Sequence, residues 1–125
     1  MNTFLPTYCT NVHAGRDLAE TEANLERFST RVRDLVATDD GDSSEIGIGL
    51  WLSAESAREL REANGALAFR DRLQNRGLRI VTLNGFPYGD FHAEVVKHRV
   101  YEPHWADPRR LAYTADLAHL LVDLL

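Results

Sequence analysis

Residues 84–105 read Asn-Gly-Phe-Pro-Tyr-Gly-Asp-Phe-His-Ala-Glu-Val-Val-Lys-His-Arg-Val-Tyr-Glu-Pro-His-Trp. They hold three of the chain's five histidines, five of its eleven aromatic residues and Lys97, its one lysine. Imidazoles, an ammonium and aromatic faces in one loop are the equipment of a pocket for a small polar molecule, and Lys97 could bind a phosphate or carboxylate. Asp90 and Glu94 flank His92, and all three share one face if the backbone is extended. His13 and His92 could also serve as metal ligands, although their spacing matches no fixed metal motif. Each residue also has a plainer reading. His13 could be a hydrogen-bonded structural histidine, and Lys97 could be a surface lysine in a chain whose codon usage favours arginine. Even so, lysine is a compact, mobile point charge and arginine a planar fork. One lysine among fourteen basic residues therefore draws attention to its loop.

The elements that must position these side chains follow from hydrophobic periodicity. Strands are expected at about 7–13, 46–52 and 78–83. A helix over residues 17–36 sets Leu18, Leu25, Phe28, Val32, Leu35 and Val36 on one face. Residues 38–44 are a polar loop. Ser53 caps a second helix, Asn64-Gly65 interrupts it, and residues 66–76 resume it before Gly77 ends it. A last helix starts near Pro108 or Arg109. The order β-α-β-α-β predicts right-handed crossovers and a parallel sheet. Ligands bind at the C-terminal edge of such sheets. The first strand brings Asn11 and His13 to that edge. The long loop 84–108 after the third strand brings Asn84, Tyr88, Tyr101 and Trp105, as substrate-binding candidates or as packing for the loop itself. Together they suit a small polar or sugar-like molecule. Cys9, inside a strand, is expected to be a small buried hydrophobe.

Composition narrows the field. The chain has 125 residues, 44% of them hydrophobic, which is enough for one domain. A formal charge of −5 with no basic block argues against nucleic-acid binding through charge. No apolar run reaches the ~18 residues of a membrane helix. The N-terminus lacks a basic start and an apolar core of a signal peptide, so a cytoplasmic protein is expected. A lone cysteine forms no internal disulfide. Gly47 and Gly49 do not have phosphate-loop spacing, and no nucleophile elbow is present. The chain ends at Leu124-Leu125 within an apolar helical run, and a three-stranded parallel sheet leaves bare edges. Both features suggest the N-terminal part of a longer architecture, and poor solubility for the chain alone. A small self-contained domain whose last helix docks or dimerises is the alternative.

Several segments resemble one family. They are Tyr8-Cys9-Thr10-Asn11-Val12-His13-Ala14-Gly15, Thr82-Leu83-Asn84-Gly85-Phe86-Pro87-Tyr88-Gly89-Asp90-Phe91-His92, Val96-Lys97, Val100-Tyr101-Glu102-Pro103-His104-Trp105 and Arg110-Leu111-Ala112-Tyr113-Thr114. The pattern is similar to the start of the EboE-type metabolite-traffic proteins, among the xylose isomerase-like TIM barrels of the sugar phosphate isomerase/epimerase superfamily. It runs over nearly the whole chain, and Asn-Gly-Phe-Pro-Tyr-Gly is its most specific part. Two positions depart from it. The family tends to have proline where Ala14 stands, and aspartate where His104 stands. The second change removes a carboxylate from the expected pocket.

The resemblance implies an α/β fold in which residues 1–125 form a single partial domain, the N-terminal (β/α)3 portion of a TIM barrel. It implies traffic or processing of a small metabolite, with isomerisation or epimerisation as the natural reaction class, for which His92 would be the base that removes a proton beside a carbonyl and Lys97 the cation that stabilises the enolate. It also implies partner proteins from the same gene cluster, and a divalent metal in a full-length barrel. The competing expectations are a non-catalytic metabolite-binding or scaffold protein, and a truncated fragment without activity of its own.

Overall fold

The computed structural model describes residues 4–37, 45–89 and 99–125. The loop expected at 38–44 lies outside the described residues. Three parallel strands, β1 (Thr7–Cys9), β2 (Ile46–Trp51) and β3 (Leu78–Asn84), form one sheet in the order β1-β2-β3. The helices are α1 (Leu18–Asn24), α2 (Thr30–Ala37), α3 (Ala54–Glu62), α4 (Ala66–Asn75) and α5 (Pro108–Leu124). A π-turn, Leu25–Ser29, joins α1 to α2, with the amide of Thr30 bonded to the carbonyl of Leu25. The protein is therefore α/β, with each strand joined to the next through helix. Among the described residues no helix is long and apolar enough to cross a membrane.

Local chemistry sets the element ends. The Asp17 carboxylate accepts from the Glu20 amide at 2.8 Å and opens α1. The Ser53 hydroxyl accepts from the Ser56 amide at 3.1 Å and opens α3. Asp107 caps α5, with Pro108 in the first turn, where its missing N–H costs nothing. Asn64, at φ 48°, breaks the chain between α3 and α4, and Gly77, at φ 72°, turns it from α4 into β3.

The sheet buries one face. Ile46, Ile48 and Leu50 of β2 and Leu78 and Ile80 of β3 meet Ala57, Leu60, Phe69, Leu73, Leu117, Leu120 and Leu124 of the helices. The register puts Thr7, Cys9, Gly47, Gly49, Arg79 and Thr82 on the opposite face. Thr7, Cys9, Arg79 and Thr82 are exposed there. A parallel sheet is ordinarily covered on both faces. Here the helices of the described residues lie on one side, and this corrects the expectation for Cys9: its thiol is exposed because its face is open.

Two further expectations need correction. The first strand ends at Cys9 rather than running to residue 13, and Thr10–Val12 form a 3-10 turn. The cause is a long-range bond: the Thr10 hydroxyl accepts from the Trp51 amide at 3.0 Å where the chain leaves the extended state. The apolar face assigned to the first helix also fails at its end, where Leu35 is 75% exposed and Val36 is exposed. The π-turn inserts extra backbone into the spiral, so an unbroken 3.6-residue count no longer predicts which side faces the sheet.

An ion-pair cluster ties α1 to α4. Arg72 donates to Glu22 at 2.6 Å, and Arg76 lies 3.5 Å from the same carboxylate. The hydrogen bond from Arg72 holds the Glu22 carboxyl below its ordinary pKa. A lowered folded-state pKa stabilises the fold above the ordinary carboxylate range, and the contribution fades as pH falls through the folded value. Urea unfolding should therefore separate Glu22→Gln from the parent at neutral pH, and the gap should close as pH falls below the ordinary carboxylate range. A gap that persists at low pH would assign the effect to packing instead.

Candidate functional site

The C-terminal ends of the three strands lie along one edge of the sheet, as a parallel arrangement requires. At the end of β1 the chain passes through the turn that carries Asn11 to His13, both half-buried. The Tyr8 hydroxyl lies 2.6 Å from His13 Nε2. The Phe28 ring stacks on the imidazole with centroids 4.4 Å apart and planes 6° from parallel. Phe28 sits on the π-turn, so the irregular backbone is what brings this ring to the histidine. The imidazole is thus held from its edge by a phenol and on its face by a phenyl ring.

Beside His13 lies a cavity of about 10 Å³, bordered by Thr10, Thr21, Asn24 and Trp51. That is room for one water. Its walls are fixed in place. Asn24 donates to the Ala14 carbonyl at 2.7 Å, and the Thr21 hydroxyl donates to the Asp17 carbonyl at 3.0 Å. Replacing Tyr8 by phenylalanine removes the hydroxyl from His13 and should cost about 0.5–1.5 kcal/mol, read as a shift in the urea midpoint. No change in stability would mean that solvent takes over the bond without loss.

At the far end of the edge, Asn84 closes β3 opposite Trp51. The loop that follows folds over the end of β2. Trp51 Nε1 donates to the Pro87 carbonyl at 2.8 Å, the Tyr113 hydroxyl donates to the Leu52 carbonyl at 2.5 Å, and the Ala54 amide donates to the Tyr88 carbonyl at 2.7 Å. Burial pushes the Tyr113 phenol well above its ordinary pKa, so it stays a neutral donor. The Tyr88 ring meets Tyr113 edge-on at 5.2 Å and packs against the core. Tyr101 and Trp105 are both exposed. Tyr101 lies 5.9 Å from the Phe86 ring, and Trp105 covers the Arg110 guanidinium at 4.3 Å.

Of the residues singled out in the sequence, Asn11, His13, Asn84 and Tyr88 fall along this edge. Tyr101 pairs with the exposed Phe86 ring, and Trp105 lies over Arg110. Asp90, His92, Glu94 and Lys97 lie outside the described residues, so the catalytic pair His92 and Lys97 and the ligand pair His13 and His92 have no geometry here. Among the described residues no group of three histidine, cysteine, aspartate or glutamate side chains is arranged to hold a metal ion. The His13 nitrogen Nε2 is engaged by the Tyr8 phenol.

Sequence reasoning missed three residues of the site. Tyr8 and Phe28 act through His13, and no local pattern links them to it. Arg110 did leave a signal. It falls in step with Tyr113, Leu117, Leu120 and Leu124, the buried stripe of α5, where an apolar residue is expected.

Comparison of the chain with protein-family models returns no match, and comparisons with curated proteins and with solved structures return none either.

Proposed function

We infer that this chain binds a small polar, sugar-like metabolite at the C-terminal ends of its strands, as the N-terminal (β/α)3 portion of a xylose isomerase-like TIM barrel of the EboE type. One observation carries the reading. Asn11, His13 and Asn84 lie at the same edge of a parallel sheet, the edge at which such folds bind ligands. The sheet's open face, lined by small and polar side chains, is in keeping with a barrel interior completed by further strands. The sequence resemblance adds the metabolite-traffic role and the partners of the same gene cluster. Amides and an imidazole supply directional hydrogen bonds to hydroxyl groups, and aromatic rings offer a face to a sugar's C–H surface. Any turnover is isomerisation or epimerisation, with His92 as base and Lys97 beside the developing enolate oxygen.

The test uses the protein at its natural length. Neutral aldoses, ketoses and polyols are screened by saturation-transfer NMR, and bound compounds are followed for deuterium uptake from solvent at the carbon beside the carbonyl. Binding that weakens in His13→Ala and Asn84→Ala supports the site. Deuterium uptake lost in His92→Ala and Lys97→Ala supports catalysis. Binding without exchange favours a carrier, a reading helped by the engagement of His13 with Tyr8. Binding that neither edge variant alters would overturn the site.

A further inference from the structure

We propose that Arg110 anchors an oxyanion, a phosphate or carboxylate group of a small ligand, at the C-terminal end of β3. Arg110 lies in the first turn of α5 and is 6% exposed. A guanidinium keeps its charge at every physiological pH, and a buried charge is costly unless an opposite charge answers it. Other arginines of the fold have such an answer: Arg109 pairs with Asp107, Arg61 with Asp116 and Arg72 with Glu22. Arg110 pairs with no carboxylate among the described residues. Its Nη2 donates to the Gly85 carbonyl, and its buried Nε has no hydrogen-bond partner. The nearest carboxylate in sequence, Asp107, is taken up by Arg109, whose Nη2 lies 2.8 Å from it.

Aromatic rings supply the remaining contacts. The Arg110 guanidinium carbon lies 4.3 Å from the Trp105 centroid and 5.6 Å from that of Tyr113. Cation–π contacts cover the flat faces of a guanidinium and leave its N–H groups directed outward in the plane. Those N–H groups form the fork that matches a carboxylate or phosphate. Trp105 is 77% exposed, so one of the two rings over this charge faces solvent, while Tyr113 belongs to the core. The first turn of a 17-residue helix adds positive potential at the same place. Phe86, next to Gly85, and Tyr101 form an exposed ring pair in the same loop region, a surface for the ligand's uncharged body. Gly85 follows the last residue of β3, so the anchor stands at the edge of the metabolite site. The inference deepens the metabolite-binding reading and rests on it for the site's role, giving that ligand a negative group.

The probes are inorganic phosphate and acetate, each titrated into the full chain at constant ionic strength with chloride as the reference anion. The Nε–H resonance of Arg110 and the emission of Trp105 are followed. A saturable one-site shift of the Arg110 resonance, with the other arginine resonances unmoved, is expected for at least one probe. A response to phosphate alone identifies a phosphorylated ligand, and one to acetate alone a carboxylated ligand. Arg110→Lys keeps the charge but loses the fork, and should weaken binding about tenfold. Should Arg110→Lys not fold, Trp105→Ala serves instead: it strips the indole from the guanidinium, so the apparent affinity for the responding anion should change, and an unchanged affinity would count against the site. No saturable shift with either anion, or the same shift with chloride, overturns the proposal. Because the probes carry no sugar, failure here leaves the neutral-sugar result standing, and failure of the neutral sugars leaves this one standing.

Discussion

Trp51→Ala is expected to lower the unfolding free energy by about 3–5 kcal/mol, measured by urea denaturation. Domains of this kind hold about 5–15 kcal/mol in total, so the variant should be near the limit of folding at 25 °C. The indole is 1% exposed and heads the fully buried side chains by volume. Truncation removes its packing and also its N–H donor to the Pro87 carbonyl at 2.8 Å. That carbonyl keeps only the longer bond from Tyr113, at 3.3 Å. Trp51→Phe separates the two contributions, since it retains a ring and deletes the donor. A loss below about 1 kcal/mol for Trp51→Ala would show that the end of β2 tolerates a cavity, contrary to its tight packing.

Gly15→Ala should cost about 1–3 kcal/mol despite adding a single methyl group. A Cβ at Gly15 would stand 2.9 Å from Thr21 Oγ1 and 2.9 Å from Trp51 Cζ3. Neither neighbour gives way easily. The Thr21 hydroxyl donates to the Asp17 carbonyl at 3.0 Å, and the indole is locked by Pro87. The two sites should therefore couple. In a Trp51→Ala background the clash with the ring is gone and only that with Thr21 Oγ1 remains, so the cost of the methyl should shrink. A double-mutant cycle by urea denaturation reads this directly, and strict additivity would mean that the ring is not what excludes the methyl.

Much of the fold was legible because its signals are local. The continuous apolar run at β2 reads as a buried strand, and all six of its residues are buried. Ser53, Asn64 and Gly77 mark element ends through their own side-chain or backbone chemistry. What escaped depends on partners distant in sequence. The exposure of Cys9 follows from which side of the sheet the helices take, and alternation within a three-residue strand does not decide that. The bond that ends β1 joins Thr10 to Trp51, 41 positions apart. The placement of Asn11, His13 and Asn84 at one edge followed from the β-α-β order alone. Tyr8 and Phe28 required the folded geometry, because a phenol and a phenyl ring around an imidazole leave no periodic trace. Arg110 was readable in principle as a charge in an apolar stripe, and periodicity counted over apolar residues passed it by.

The π-turn at Leu25–Ser29 also acts as a phase offset. Each residue of an α-helix advances the azimuth by about 100°, so a helix keeps time by residue count. Deleting one residue within the turn would let the hydrogen bonds revert to the regular i→i+4 ladder, and as local backbone the segment would be sounder. The wide turn spends one residue more than a regular turn on about the same rotation, so the two flanks would keep their relative orientation after the deletion. Thr21 and Leu25 face the core on one side of this interval, and Val32 packs against it on the other. The ring of Phe28 meets His13 from within it. A regular helix one residue shorter would thus keep its core face, and what it would lose is the wide turn from which Phe28 reaches the imidazole.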